Sequence, residues 1–254
     1  MKIAVLGATG TIGRMITRDL ESAGHTVVAA SRSAGVDVLT GVGLEKAFTG
    51  VDVAVDCLNV ETMSAKRAVR FFTDTATHVV RAAERAGVRR IVCVSIAGAT
   101  DRRVNKRFGY YRGKAAQEDV YRAASVPVTI IHSTQWFELV PQIVRRASFG
   151  PLAVLPKMLM AGVAAERVAA LVCSEIEAVA EGDRTVAIRG PEVATTAQLV
   201  RAMLAAKGDL DGIRPRLITE VPLFGSAISG GGLIPDDAIV DDVTLAAWLS
   251  ATGG

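Results

Sequence analysis

Cysteine, histidine and aromatic residues are scarce in this 254-residue chain. The three cysteines, Cys57, Cys93 and Cys173, are odd in number and far apart, which excludes a disulfide framework and a cysteine-based metal site. Cys57 and Cys93 lie within apolar runs, and all three cysteines read as buried thiols of a reducing compartment. The three histidines, His25, His78 and His132, are scattered, so no metal is expected. A dominant charge is missing too. Twenty-nine basic residues face 26 acidic ones, a net charge of +3 that is too mild and too evenly spread for a nucleic-acid partner. Glu175, Glu177 and Glu181 read as a solvated helix face. No run approaches the roughly 20 apolar residues of a membrane span. The most apolar stretch, 151–165, is interrupted by Pro156 and Lys157, and the opening apolar segment is too short for a signal peptide. These absences leave a cytoplasmic protein with a small-molecule partner and no membrane contact, with a homodimer as the candidate assembly.

What the chain does have is apolar residues, 50% of the total, in a repeating order. Short β-branched runs alternate with helical patterns. Ile3–Leu6 predicts a buried strand. Ile12, Met15, Ile16 and Leu20 then have helical spacing, and Gly24 ends that helix. Further strands are expected at Val27–Ala30, Gly35–Leu39, Val51–Leu58, Ile91–Val94 and Val126–His132. Helices are expected at Leu44–Phe48, Phe71–Ala86 and Lys114–Ala124, and Asp101–Arg107 reads as a polar loop. Continuous apolar strands separated by helices predict an α/β doubly wound parallel sheet of the Rossmann type. Ligands of such sheets bind beyond the carboxyl ends of the strands. After about residue 134 prolines interrupt the pattern. Helices are expected at Ala164–Ile176, Thr196–Ala206 and Asp242–Leu249, with a strand at Thr185–Ile188. The chain is therefore divided into a dinucleotide-binding domain, 1–140, and a smaller α+β substrate lobe, 141–254, packed together as one unit.

Gly7-Ala8-Thr9-Gly10-Thr11-Ile12-Gly13 links the first strand to the first helix. Gly7 suits a tight turn, Gly10 lets the backbone approach a pyrophosphate, and Gly13 lets helix and strand pack closely. The helix N-terminus supplies free N–H groups and positive potential. After the second strand the chain reads Ser31-Arg32-Ser33, with no carboxylate until Asp37. A carboxylate there would hold ribose hydroxyls, whereas Arg32 can pair with a 2′-phosphate. The expected cofactor is NADP(H); an ordinary surface arginine is the competing reading. Asn59 follows the fourth strand and, together with Cys57 and Leu58 at that strand's end, is expected to line the cofactor cleft, with a plain strand-end turn as the alternative.

The glycine spacing resembles that of the short-chain dehydrogenase/reductase superfamily, and more narrowly its atypical, NmrA-like NAD(P)-binding members. Ala82–Val88 before Ile91–Ser95, Tyr110–Glu118, and Pro127–Ile131 are similar to the same group, so the likeness covers residues 1–140 well and the rest loosely. It implies about seven parallel strands and a small C-terminal substrate lobe. It also implies a catalytic set of Ser95, Tyr110 and Lys114, in which Tyr110 exchanges a proton with a carbonyl or alcohol oxygen, Ser95 hydrogen-bonds that oxygen, and Lys114 holds the nicotinamide ribose. The four-residue spacing can place Tyr110 and Lys114 on one helix face, where an ammonium would lower the phenol pKa. Tyr111 is the neighbouring alternative ring.

Gln135, Trp136 and Phe137 follow the sixth strand and are the candidate substrate-binding residues, although the two aromatics could equally join the lobes. His132 reads as structural. The sequence thus predicts an NADP(H)-dependent oxidoreductase acting on a small apolar carbonyl or quinone. A non-catalytic NADP(H) sensor and a nucleotide-sugar epimerase are the competing functions.

Overall fold

A computed structural model describes residues 1–178 and 182–252; Glu181 lies outside them. In chain order the first half contains β1 (Lys2–Leu6), α1 (Thr11–Ser22), β2 (Thr26–Ala30), α2 (Leu44–Phe48), β3 (Val53–Asp56), α3 (Ala65–Ala86), β4 (Arg90–Ile96), α4 (Arg102–Asn105), α5 (Gly109–Arg122) and β5 (Val128–Ser133). The second half contains α6 (Val140–Ala147), β6 (Ser148–Phe149), β7 (Leu152–Pro156), β8 (Leu159–Met160), α7 (Ala165–Glu177), β9 (Arg184–Arg189), β10 (Ala194–Thr195), α8 (Thr196–Lys207), β11 (Leu217–Val221), α9 (Ser226–Ser229), β12 (Ile239–Val240) and α10 (Leu245–Thr252).

Seven of these strands form one sheet in the order β12-β9-β5-β4-β3-β1-β2, with every neighbouring pair parallel. A parallel sheet covered on both faces needs strands that are apolar on both sides, and Ile3, Ala4, Val5 and Leu6 are all fully buried. One apolar cluster fills the face under α2, α3 and α5; another fills the face under α1 and α7. The strand order reverses at β1, with β2 on one side and β3 on the other. The carboxyl ends of β1 and β3 therefore flank the crevice where such sheets take their ligands.

A third cluster organises the smaller lobe, with β6, β7 and β11 in one mixed sheet and β8 and β10 in an antiparallel pair. The boundary expected at residue 140 divides the sequence but not the sheet, because β9 and β12 return to extend it. Gly35–Leu39 forms no strand. The segment turns through a 3-10 turn at Arg32–Ala34 and an isolated Asp37–Val42 bridge. Asp101–Arg107 is not a plain loop either, since Asp101 caps α4 by accepting from the Arg103 N–H at 2.8 Å.

Two helices begin earlier than their apolar spacing suggests. Ser64 caps α3 by accepting from the Arg67 N–H at 3.3 Å, so the charged first turns belong to the helix. In α5 the glycines that argue against a helix are required by packing: a Cβ on Gly113 would lie 2.7 Å from the Phe72 ring on α3. Glu175, read as solvated, is buried and pairs with Arg184 at 3.2 Å, while Glu177 is exposed beside His25. Only Cys93 of the three cysteines is fully buried; Cys57 and Cys173 are partly so.

Candidate dinucleotide and proton-transfer site

The turn after β1 is compact because two glycines leave no room for side chains. Gly7 has φ +76°, and a Cβ there would lie 3.0 Å from the Cys57 carbonyl oxygen. The β1 turn thus rests against the chain leaving β3. A Cβ on Gly13 would lie 2.2 Å from the Gly7 carbonyl oxygen, so the first turn of α1 sits directly on the loop. Gly10 is the N-cap, no side chain caps the helix, and its first turn has no acidic residue. The first-turn amides keep their positive potential for a ligand. Arg14, which follows Gly13 and drew no attention in the sequence, donates to the Thr9 carbonyl oxygen at 2.8 Å and holds its guanidinium beside the loop. Ala8 and Ile12 are buried, while Thr9 and Gly10 are exposed and Thr11 partly so. The loop therefore suits a pyrophosphate: its exposed element is backbone and its environment is cationic.

Arg32 stands at the carboxyl end of β2 and is exposed, and its guanidinium makes no hydrogen bond or ion pair among the described residues. Ser31 and Ser33 face each other with hydroxyls 2.9 Å apart. Beyond β3, the Cys57 N–H donates to the Leu6 carbonyl at 3.0 Å, Leu58 is partly buried and Asn59 is exposed. Burial first, and then the neighbouring Asp56 charge, push the Cys57 thiol well above its ordinary range.

The proposed catalytic residues are not all together. Tyr110 and Lys114 both lie on α5 and meet at Phe72. The Tyr110 ring stands edge-on to Phe72 at 5.8 Å, and Lys114 Nζ lies 4.6 Å from the Phe72 ring centre. Lys114 is buried and donates to the Val94 carbonyl and to Gln117 Oε1, both at 2.9 Å, and its third N–H has no hydrogen-bond acceptor among the described residues. The Tyr110 hydroxyl has no partner among the described residues. Burial raises its pKa while the Lys114 charge pulls the other way. Tyr111, in contrast, is buried and accepts from Gln135 Nε2 at 3.0 Å. Of the two adjacent phenols, Tyr110 has the unengaged one.

Ser95 points into a different cluster. Its hydroxyl donates to Glu118 Oε1 at 2.5 Å, and Glu118 also accepts from His132 Nε2 at 3.0 Å and pairs with Arg122 at 3.2 Å. Burial opposes the Glu118 charge, but the His132 and Ser95 hydrogen bonds and the Arg122 charge outweigh it and lower its pKa. A carboxyl with a depressed pKa stabilises the fold fully above its unfolded pKa, and that stability disappears as pH falls through the folded value. Urea midpoints measured from pH 7 to 3 should therefore drop on the acid side, and Glu118→Gln should flatten part of that drop. An identical acid limb in the variant would remove Glu118 from the account.

Nothing local to Lys114 in the sequence indicates how it is anchored. Asp56, fully buried at the end of β3, accepts from Gln117 Nε2 at 2.7 Å, from the Tyr121 hydroxyl at 2.5 Å and from the Leu58 N–H at 2.8 Å. Gln117 in turn accepts from Lys114. The only local hint was a carboxylate inside an apolar strand.

The candidate substrate residues are largely structural in their contacts. Gln135 holds Tyr111, Trp136 donates to the Ser133 hydroxyl at 3.0 Å, and Phe137 is buried against Trp248 with ring centres 5.4 Å apart. Among the described residues no three His, Cys, Asp or Glu side chains are grouped to hold a metal ion, and no helix is long and apolar enough to cross a membrane.

A glycine loop at the reversal point of a doubly wound sheet, opening a helix with a bare N-terminus, defines a dinucleotide-binding protein. The chain belongs to the NAD(P)H-binding family, whose model matches residues 7–177. It is similar over 118 residues to the 3-diazoavenalumate denitrifying reductase of Streptomyces, at 34% identity, covering 39% of each chain. It is also 26% identical over 115 residues to the photosystem II assembly factor Ycf39 of Synechocystis, covering 40% of this chain and 35% of that protein. These matches span little more than a third of either relative. Among solved structures, the NADPH complex of an NADPH-dependent quinone oxidoreductase from Escherichia coli superposes with a TM-score of 0.68 at 17% identity, over 99% of this chain and 100% of that one. UDP-glucose 4-epimerase from Bifidobacterium longum superposes with a TM-score of 0.73 at 12% identity, over 98% and 96%. Likeness at these identities speaks for the fold alone, the doubly wound α/β sheet with its smaller lobe.

Proposed function

We propose that the protein is an NADP(H)-dependent oxidoreductase that reduces a small carbonyl or quinone. The observation that carries this reading is the free hydroxyl of Tyr110, one helical turn from Lys114 on α5. When bound, the dinucleotide supplies or accepts the hydride. The chain does the rest. The Gly7–Gly13 amides, with Arg14 beside them, hold the pyrophosphate, Arg32 meets the 2′-phosphate, and Cys57, Leu58 and Asn59 border the cleft. Lys114 offers its remaining N–H to the ribose and biases Tyr110 toward giving up its proton. Tyr110 then protonates the substrate oxygen as negative charge develops there. Ser95 takes part if its hydroxyl exchanges Glu118 for that oxygen, and Gln135, with Trp136 and Phe137, would shape the far wall. The activities for which two similar proteins are named, a reductase and a quinone oxidoreductase, support this chemistry.

One observation favours a second reading. Ser95 is engaged by Glu118 rather than by Tyr110, as it would be in a protein that binds NADP(H) and reports on it without turnover.

Two substitutions test the proposal. Arg32→Ala should raise the NADPH dissociation constant by on the order of ten- to a hundredfold, the worth of a charge-assisted hydrogen-bond pair. NADH binding should barely change, and equal losses for both would remove the selectivity argument. Tyr110→Phe should cut carbonyl reduction by on the order of 10²- to 10⁴-fold. Quinone reduction, whose first step needs no protein acid, should survive. Full carbonyl activity in this variant would end the role of Tyr110, and NADPH binding with no turnover of carbonyls or quinones by the wild type would favour the sensor.

A further inference from the structure

A cleft of about 1070 Å³ lies beside the site rather than within it. One wall is the segment between β4 and α5, with Gly98, Arg103, Lys106 and Arg107; the other is the glycine-rich stretch 225–236. The two walls meet at the carboxyl end of β4, where a Cβ on Gly98 would lie 2.7 Å from the Gly232 carbonyl oxygen.

The cations on its rim are not equivalent. Arg103 is clamped on Asp101, with Nη2 2.8 Å from Oδ2 and Nε 3.2 Å from Oδ1, so that pair is internally neutralised. The side chains of Lys106 and Arg107 are exposed and make no hydrogen bond or ion pair among the described residues. The opposite wall brings one carboxylate, Asp236, likewise without an ion pair among them. Two unneutralised cations thus face one acid.

Their positions are fixed by neighbours. Phe108, next to Arg107, stacks on Phe224, next to Gly225, with ring centres 4.1 Å apart and planes 2° from parallel. The Arg107 stem passes so close to Gly225 that a Cβ there would lie 2.9 Å from its Cδ. Val104 and Ile228, one from each wall, are fully buried in the core of the smaller lobe. A guanidinium held in this way loses less freedom on pairing than a loose surface arginine does.

We propose that this cleft binds an oxyanion group of the substrate, carboxylate or phosphate, through Lys106 and Arg107. Calling the ligand a substrate rests on the oxidoreductase reading; the binding itself does not. Arg107 lies three residues before Tyr110, so the connection that carries the anion site leads directly into the helix of the proposed acid. A substrate held in this way has an apolar body that carries one anionic end.

The test is titration of the NADPH-loaded protein with benzoate, phenyl phosphate and neutral benzamide, monitored by ligand-observed NMR. At least one anion should bind more tightly than benzamide. Its dissociation constant should rise on the order of tenfold in the Lys106→Gln/Arg107→Gln double variant, while Arg107→Lys keeps part of the affinity. Raising ionic strength should weaken the wild type more than the double variant. Preference for benzoate assigns a carboxylate and preference for phenyl phosphate a phosphate. Equal binding of benzamide, or anion affinity unchanged in the double variant, overturns the proposal. NADPH affinity is measured in parallel. Its absence in every protein would sink the oxidoreductase reading while leaving the anion result to stand alone.

Discussion

Gly13→Ala should lower dinucleotide affinity by on the order of a hundredfold, the cost of two lost amide–phosphate hydrogen bonds at about 1.5 kcal/mol each. Helix propensity alone predicts the opposite direction, because alanine gains about 1 kcal/mol over glycine inside a helix. The geometry decides between them. The new Cβ would lie 2.2 Å from the Gly7 carbonyl oxygen and 2.8 Å from its carbon, and both are backbone atoms that cannot swing aside as a side chain can. Either α1 moves off the sheet or the loop moves off α1, and both break the alignment of loop amides with helix N-terminus. Overpacking of this kind also costs about 1–3 kcal/mol of stability. Isothermal titration with NADPH, together with a thermal melt, reads both effects. A variant with wild-type affinity and melting temperature would mean that loop and helix are not locked together.

Asp56→Ala should be the most destabilising single change at the site, by about 3–5 kcal/mol in urea unfolding. Truncation would leave the buried Tyr121 hydroxyl and Gln117 amide and the part-buried Leu58 N–H without their acceptor, and each buried donor costs about 1–3 kcal/mol, not fully additively. Asp56→Asn, which keeps one oxygen, should cost less. Gln117 also receives the Lys114 ammonium, so the alanine variant should bind NADPH more weakly as well. A loss below about 1 kcal/mol would show that the three donors find other partners.

The first β-α unit was legible because its signals are local. Ile3–Leu6, the three glycines and the Ile12–Leu20 spacing lie within twenty residues and agree with one another. Other features depend on partners distant in sequence. Nothing in Arg184–Arg189 says that it extends the large sheet rather than the smaller lobe, since its apolar content is common to both. Gly35–Leu39 has strand-like residues, but the chain turns back at Val42 instead. The roles of Asp56 and Ser95 were hidden for the same reason. Their partners sit on α5, 61 and 65 residues away for Asp56 and 23 for Ser95, and only the packing of α5 on the sheet brings them together. The spacing of Tyr110 and Lys114 was visible as four residues; that Phe72 lies between them was not, because it comes from α3. Lys106 and Arg107 looked like ordinary solvated charge until the glycine-rich wall was placed opposite them.

The central claim is that the backbone at the mouth of β1 and β3 holds a phosphorylated nicotinamide dinucleotide. Calorimetric titration of the purified wild-type chain with NADPH, and separately with NADH, tests it most directly. One saturable site per chain, tighter for NADPH, is the predicted result; no heat of binding and no saturation with either dinucleotide would contradict the account at its root.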